Sequence, residues 1–190
     1  MPSSIAILNF ADPVQPGGGY LTGAVAQEED LCCGAPALHP ALMAAAYPLD
    51  AAATPLTLRV EIRRAPPFTA LLPAPVPVTI ITAAAPNGNA RLRNRPWVPL
   101  QGDAYRADFH RRMRRVLYAA YASGCRSIVL GAWGCGVFGN DAQTVARLWR
   151  AVLDTREWRG RFEHVIFAIL PGRAGRSLAI FDQTLSPLVS

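Results

Sequence analysis

Apolar residues occur along the chain in short runs, separated by longer stretches in which they recur every three or four positions. The short runs predict buried strands, because each is strongly apolar and bounded by turn-forming residues. These strands are predicted at Ile5–Phe10, Val78–Thr82, Ser127–Ala132 and Phe162–Leu170. Strands that alternate with helices indicate an α/β layered fold, whose ligands bind where loops leave the strand ends.

The stretches between the strands predict five helices. The first runs from Gly23 to about Leu31, with Thr22 as N-cap and Gly34 as the stop, and the second runs from Pro36 through Ala46. The third covers Tyr105–Tyr121. The fourth begins from an N-cap at Asn140 or Asp141, and the fifth is a short final segment that contains Phe181. On the third helix a buried stripe is predicted at Tyr105, Phe109, Met113, Val116, Leu117, Ala120 and Tyr121. The five arginines of this helix lie mostly off the stripe, so we interpret them as a solvated face.

Residues 47–77 are the least regular part of the chain. Leu56–Arg63 alternates as an exposed strand does, whereas the prolines of Ala65–Phe68 and Leu72–Pro77 restrict those segments to a loop or a sheet edge. Core strands are predicted on both sides of this stretch. We therefore expect one domain over residues 1–190 that carries an irregular, proline-rich insertion.

Composition narrows the class of protein. The chain has 190 residues, 51% of them hydrophobic and 17% charged, and contains no segment apolar enough to span a membrane. Its first residues lack the pattern of a signal peptide, so we expect a cytoplasmic protein. Cys32, Cys33, Cys125 and Cys135 form no CxxC pair and the three histidines are scattered, which argues against a zinc site.

The net charge of +6 comes almost entirely from arginine, which clusters in Arg91–Arg95 and Arg106–Arg115. Such a charge attracts a polyphosphate substrate as well as it attracts nucleic acid. No RNA-binding aromatic signature or helix-turn-helix pattern favours nucleic acid. Charge alone leaves both partners open.

Candidate chemistry concentrates at residues 15–29. Gly17, Gly18 and Gly19 follow the first strand, and without β-carbons they let the backbone adopt positive φ and approach a ligand closely. The helix predicted after them directs free N–H groups outward, which suits phosphate or sugar oxygens. Adjacent Glu28 and Glu29 point about 100° apart on a helix, so only one is expected to be the acid/base group while the other orients the substrate.

A second glycine-rich loop, Gly131–Asn140, follows the third predicted strand. It lacks the Lys-Ser/Thr pair of a Walker A loop, and it lacks the glycine and acidic pattern of a dinucleotide-binding fold. ATPase and dinucleotide-oxidoreductase functions are therefore not favoured. Its consecutive backbone N–H groups are still suited to holding a diphosphate.

Together these motifs resemble the poly(ADP-ribose) glycohydrolase family, specifically its compact bacterial type. The family signature is three glycines, a short spacer and then Gln-Glu-Glu, and the chain has Gly17–Gly19, seven further residues and Gln27–Glu29. The resemblance continues in Leu8–Ala11, Ile81–Asn87, Gly131–Asn140 and Val165–Ala168. It covers nearly the whole chain and loosens over residues 47–77.

The resemblance implies a macrodomain-like three-layer fold, with a mixed central sheet between helices and a cleft for ADP-ribose at the strand ends. It implies an enzyme that cleaves the ribose–ribose O-glycosidic bonds of poly(ADP-ribose), mainly from chain ends, and releases ADP-ribose. Its partners would be the polymer and ADP-ribosylated proteins, as in reversal of ADP-ribosylation during the DNA damage response. No metal, cofactor, membrane or direct nucleic-acid contact is required by the resemblance, and we expect a monomer.

The resemblance also implies roles for individual residues. Glu29 would be the general acid on the glycosidic oxygen and then the base on the attacking water, while Glu28, Asn9 and Asp12 would hydrogen-bond the ribose hydroxyls. Gly17, Gly18 and Gly19 would lie around the distal ribose and phosphate. Gly134, Cys135, Gly136, Val137 and Phe138 would lie around the diphosphate. The implied substrate-binding set is completed by Gln27 of the signature, Asn140, and Phe181, which would stack on adenine.

Three alternatives stay open: removal of a single ADP-ribose from an acceptor, ADP-ribose binding without catalysis, and plain nucleic-acid binding. One feature departs from the compact bacterial relatives, which usually carry a substantial segment before the first strand. Here four residues precede Ile5. We therefore expect the contacts of that segment, including part of the adenine site, to be absent or replaced.

Overall fold

The computed structural model describes residues 4–49, 54–89, 102–171 and 176–186. The strands are β1 Ile5–Phe10, β2 Leu56–Arg64, β3 Leu71–Ala83, β4 Ser127–Leu130 and β5 His164–Phe167. The helices are α1 Gln27–Gly34, α2 Leu38–Met43, α3 Gly102–Ala122, α4 Ala142–Leu153 and α5 Arg176–Leu185, with a one-turn 3-10 helix at Tyr20–Thr22. None of the helices in these ranges is long and apolar enough to cross a membrane.

The five strands form one mixed sheet in the order β2-β3-β1-β4-β5. β3, β1, β4 and β5 are parallel, and β2 runs antiparallel to β3. Asn9, near the carboxyl end of the central strand β1, lies opposite Thr82 of β3. The prediction of an α/β fold with a mixed central sheet is confirmed.

Apolar side chains pack on both faces of this sheet. On one face Leu8 and Ile128 join a large core that includes Phe109 of α3 and Trp149 of α4. On the other face Ile80 joins a smaller core with residues of α1 and α2, among them Cys32 and Leu38. The helices therefore form a layer on each side of the sheet, as the three-layer prediction requires.

The described part of the segment over residues 47–77 contains two regular strands, where the sequence predicts an irregular insertion. β2 and the first half of β3 form an antiparallel hairpin that belongs to the main sheet. The prolines of Leu72–Pro77 are tolerated because this half of β3 pairs with β2 alone, whereas β1 pairs with Thr79–Ala83. The expectation that the proline segment lies at a sheet edge is confirmed.

The first helix begins later than predicted. Gly23 has a φ of +79° and ends the 3-10 turn, so α1 starts only at Gln27. Gly34 is the last residue of α1 and not a stop beyond it. At the start of α4, Asp141 is the N-cap, because its carboxylate accepts a hydrogen bond from the Thr144 N–H at 2.8 Å.

The predicted buried stripe of α3 is confirmed for Phe109, Met113, Val116, Leu117 and Ala120. Tyr121 is an exception, since 46% of it is exposed, and its neighbour on the same face, Tyr118, is 61% exposed. Tyr105 is half-buried. The Arg91–Arg95 cluster lies outside the described residues.

Candidate active site

The glycine loop after β1 is built so that side chains are excluded from two positions. Gly17 and Gly18 have φ values of +74° and +57°, a region that residues with a β-carbon rarely adopt. A β-carbon at Gly17 would lie 2.6 Å from Cδ2 of His39 in α2, and one at Gly18 would lie 2.5 Å from Oε1 of Glu29. The loop therefore lies directly against the first turn of α1.

Glu28 is almost fully buried at the start of α1. One of its carboxylate oxygens accepts a hydrogen bond from Asn9 Nδ2 at 3.0 Å, and the other accepts the Asp12 N–H at 2.9 Å. Burial raises the pKa of Glu28 to about 7, helped by the nearby Glu29 charge and opposed by the two hydrogen bonds. Glu28 is therefore a carboxyl group that changes protonation near neutral pH.

Glu29 is also buried, at 8% exposure, but has different surroundings. Its Oε1 accepts the backbone N–H of Gly19 at 2.8 Å. A β-carbon at Gly18 would lie 3.1 Å from Glu28 Oε2 as well as 2.5 Å from Glu29 Oε1, so the two carboxylates approach the same glycine. Adjacent acids on one helix thus share a loop while each has its own hydrogen-bond donor.

Asn9 occupies the carboxyl end of β1 and is fully buried. Its Nδ2 donates to Glu28 and, at 3.4 Å, to the Thr82 hydroxyl across the sheet. Its Oδ1 has no hydrogen-bond partner among the described residues. A buried acceptor without a partner is costly, so this oxygen is suited to receive a hydroxyl from a ligand.

The Gln27 side chain is bound to the backbone of β1, a contact that its place in the motif does not predict. Its side-chain amide donates to the Leu8 carbonyl and accepts the Phe10 N–H, both at 2.8 Å. The amide thus binds β1 as a neighbouring strand would, and it holds α1 against β1. Gln27 also lines the cleft, and its substrate contact stays a prediction.

Asp12 caps the glycine loop from within. One of its carboxylate oxygens accepts the N–H groups of Val14 and Gln15 at 2.8 and 2.9 Å. Its backbone N–H binds Glu28 at the same time. Asp12 therefore fixes the path of the chain from β1 to Gly17 and places one donor on the buried acid.

The second glycine-rich loop is held by Asn140. Its Nδ2 donates to the Pro86 carbonyl at 2.8 Å, and its Oδ1 accepts the Tyr105 hydroxyl at 2.9 Å. Gly134 has a φ of +75°, and a β-carbon there would lie 2.3 Å from Asn140 Nδ2. Asn140 is buried and its amide is used within the protein, so the expectation that it binds substrate directly is wrong.

A cleft of about 1020 Å³ lies between the second loop and the start of α1 and can accommodate a nucleotide-sized ligand. The expected diphosphate-binding segment Gly134–Phe138 lines one side of it. Residues next to the acids line the other side, namely Val25, Ala26 and Gln27. Glu28 and Glu29 follow Gln27 directly and do not themselves line the cleft.

Phe181 does not face this cleft. It is buried in the main core and its ring centroid is 5.7 Å from that of Phe167. A ring packed among core residues has no face left for adenine, so this position argues against the predicted stacking. The less buried aromatic residues that line the cleft are Phe10, Phe68 and Phe138.

Two further residues near the acids were not found from the sequence. Phe10 lines the cleft directly after Asn9, a position that the strand end could have indicated. Tyr47 has a buried hydroxyl without a hydrogen-bond partner among the described residues. Burial, together with the charges of Glu28 and Asp12, raises the pKa of Tyr47 above its usual value. Tyr47 lies in an irregular part of the sequence, where no pattern predicts that it approaches the acids.

Among the described residues, no group of three or more His, Cys, Asp or Glu side chains could hold a metal ion. The site contains two buried carboxyl groups. One is hydrogen-bonded to a side-chain amide and a backbone N–H, and the other to a glycine N–H. This pair can transfer a proton and orient a hydroxyl group.

Comparison with known proteins agrees with this chemistry. Residues 2–57 match the family described as microbial-type PARG, catalytic domain, where PARG is poly(ADP-ribose) glycohydrolase. A search of curated proteins finds no match.

Solved structures give similarity over almost the whole chain. The PARG of Deinococcus radiodurans in complex with ADP-ribose is 42% identical over 98% of this chain and 77% of its own, with a TM-score of 0.77. The PARG of Thermomonospora curvata is 32% identical over 96% of this chain and 68% of its own, with a TM-score of 0.75.

Proposed function

The chain belongs to the poly(ADP-ribose) glycohydrolase family, and from that premise we propose that it hydrolyses the ribose–ribose O-glycosidic bonds of poly(ADP-ribose), mainly from chain ends, to release ADP-ribose. The observation that carries the proposal is the pair of buried acids at the glycine loop. Glu28 and Glu29 have separate hydrogen-bond donors, as an orienting group and a proton-transfer group would need.

Glu29 acts as the general acid and then as the base. In the protonated form it gives its proton to the glycosidic oxygen while the bond from that oxygen to C1″ breaks, and positive charge develops on the ribose. The Glu29 carboxylate then takes a proton from water as the water oxygen bonds to C1″. Because Gly19 binds Oε1, the second oxygen, Oε2, is the atom through which the proton passes.

Glu28 and Asn9 orient the terminal ribose. The two are hydrogen-bonded to each other, and Asn9 Oδ1 is a buried acceptor without a partner among the described residues. A ribose hydroxyl that donates to Asn9 Oδ1 would satisfy this atom. Asp12 acts through Glu28, to which its N–H donates, and not by direct contact with the sugar.

The diphosphate lies at the second loop, where Gly134, Gly136 and Val137 offer backbone N–H groups and Phe138 covers the site, while the Cys135 N–H donates to the Ala132 carbonyl and fixes the turn. The support for this placement is that these residues line a cleft large enough for ADP-ribose. Gly17, Gly18 and Gly19 close over the distal ribose. Rings that line the cleft, Phe10 among them, are available to adenine in place of the buried Phe181.

We place the reaction in the cytoplasm, carried out by a monomer on ADP-ribosylated proteins, in bacterial reversal of ADP-ribosylation such as follows DNA damage. The support for a reducing compartment is that Cys32, Cys33 and Cys135 are free thiols. The net charge of +6 suits a polyphosphate substrate.

Incubation of the protein with purified poly(ADP-ribose) tests the proposal. Wild-type protein is expected to release monomeric ADP-ribose without an early pool of oligomers, and Glu29→Gln to release none. Full activity of Glu29→Gln would overturn the assigned role of Glu29. Activity on mono-ADP-ribosylated acceptors but not on polymer, or tight ADP-ribose binding without turnover by wild type, would overturn the proposed reaction.

A further inference from the structure

The outward face of α3 differs from an ordinary solvated helix face. Arg111, Arg114, Arg115, Tyr118 and Tyr121 recur at helical spacing and lie along one side of the helix. Both tyrosines are exposed, at 61% and 46%, although large rings are usually buried. The Arg161 guanidinium lies 5.5 Å from the centre of the Tyr121 ring and accounts for that residue, so the exposed Tyr118 beside the arginines is the feature that a solvated face does not explain.

A groove of about 460 Å³ runs along this face and is called the α3 groove here. It is lined by Thr54, His110, Arg111, Arg114, Arg115, Tyr118, Glu157 and Trp158. Glu157 is the only acidic residue among the described residues that line it, and it pairs with Arg114 at 2.6 Å. The groove therefore has a positive net charge.

The Arg114–Glu157 ion pair in the groove is weak enough to be exchanged. The Arg114 and Glu157 side chains are 51% and 46% exposed. A pair at such an exposed position contributes little to stability, so a phosphate can replace Glu157 beside Arg114 at small cost. The flat face of the exposed Tyr118 can stack with a base, and the arginines beside it can hold phosphates.

The α3 groove adjoins a smaller cavity of about 170 Å³. This cavity shares Thr54 and Arg115 with the groove and extends to Leu49 and Thr82. The Leu49 N–H donates to the Pro13 carbonyl at 2.7 Å, directly after Asp12 in the glycine loop. The groove and the start of the glycine loop are thus linked through neighbouring residues of the fold.

We propose that the α3 groove binds internal units of poly(ADP-ribose) while the chain end occupies the candidate active site. The inference rests on the proposed function. Each unit of that polymer carries two phosphates and one adenine, which fit the arginines and Tyr118 of the groove. Single-stranded nucleic acid has related chemistry, but the proposed cleavage of poly(ADP-ribose) by the same chain favours the polymer.

Binding measurements in a Glu29→Gln background test this site, since the polymer then stays intact. The groove variant combines Arg111→Gln, Arg114→Gln and Tyr118→Ala. The matched control combines Arg63→Gln and Arg159→Gln, which remove two exposed arginines that pair with Glu61 and Asp154 away from the groove. Melting temperatures of all variants establish that they are folded.

The groove variant is expected to bind long poly(ADP-ribose) about tenfold more weakly and ADP-ribose unchanged, while the control binds both as the parent does. For polymer binding by this variant, the slope of log K against log salt should become shallower by about 0.7 for each arginine removed. Unchanged polymer affinity, or an equal loss for ADP-ribose, overturns the proposal. Single-stranded DNA that binds as tightly as the polymer and loses the same factor also overturns it.

This outcome is independent of the test of the proposed function. Release of ADP-ribose by wild-type protein reports on the acids, whereas polymer binding in the Glu29→Gln background reports on the groove. With active protein, the groove variant should lose kcat/KM on long chains and keep it on the shortest cleavable chain. An equal loss on both lengths would contradict the assignment.

Discussion

The backbone of Gly18 lies directly against the carboxylate of Glu29, so that a β-carbon at position 18 would be 2.5 Å from Oε1. The next residue, Gly19, donates its N–H to the same oxygen at 2.8 Å. The loop and the acid thus hold each other in place. The three glycines of the motif serve the geometry of Glu29 as well as the approach of a ligand.

Gly18→Ala is expected to lower kcat about a hundredfold, because the added methyl group displaces the Glu29 carboxylate from its position. The positive φ of Gly18 adds a loss of stability of about 1 kcal/mol. Initial rates on poly(ADP-ribose) and thermal melting of the same preparation measure the two effects.

Gly23→Ala is the matched control, since Gly23 has a φ of +79° but no atom within 4 Å of its would-be β-carbon. It should share the loss of stability and keep kcat within about threefold of wild type. Equal losses of kcat in the two variants would show that strain alone, and not the contact with Glu29, accounts for the effect.

The pKa of Glu28 predicts how stability depends on pH. Its folded-state value is raised to about 7 from an ordinary 4.5, so the folded protein binds more protons than the unfolded chain between these values. The free energy of unfolding should therefore fall as pH rises from about 4.5 to 7, by on the order of 1–3 kcal/mol from this group.

Glu28→Gln removes this dependence, because the amide does not titrate. The melting temperature of the variant relative to wild type should rise between pH 5 and about pH 8. The new amide pairs less well with the Asn9 and Asp12 donors, and the stability lost for this reason is the same at every pH. A parallel pH dependence of the two proteins would contradict the raised pKa.

Asn140→Ala should weaken ADP-ribose binding without removing a ligand contact. The change leaves the Pro86 carbonyl and the Tyr105 hydroxyl without their partner, at a cost of about 1–3 kcal/mol in stability, and frees the Gly134–Phe138 loop. Calorimetric Kd values for ADP-ribose measure the effect on the loop.

Tyr105→Phe is the companion variant, since it removes one of the two hydrogen bonds of Asn140 and leaves the other. Its loss of ADP-ribose affinity should be smaller than that of Asn140→Ala, and in the double variant the losses should not add. Additive losses would mean that the two residues act on the ligand separately.

The sequence predicts the parts of this site that depend on local spacing. Gly17–Gly19 and Glu28–Glu29 lie within one loop and one helical turn, so their proximity follows from chain connectivity. The same holds for the buried stripe of α3, where helical periodicity decides which side chains face the sheet.

Other parts depend on contacts between distant segments. Gln27 binds β1 backbone 19 residues away, and Asn140 binds Pro86, 54 residues away. Nothing in their local patterns distinguishes an amide used by the fold from one offered to a ligand. The β2–β3 hairpin was missed for a related reason, because the prolines of β3 are acceptable only where the strand has a neighbour on one side.

Phe181→Leu tests the corrected position of that ring. Because Phe181 is buried in the core beside Phe167, the change should lower stability by about 1 kcal/mol and leave the Kd for ADP-ribose within about twofold of wild type. Phe10→Leu, at a ring that lines the cleft, is the comparison and should weaken ADP-ribose binding severalfold. The buried position argues against an adenine contact by Phe181. A tenfold loss of ADP-ribose affinity in Phe181→Leu with an unchanged melting temperature would show that the contact is made.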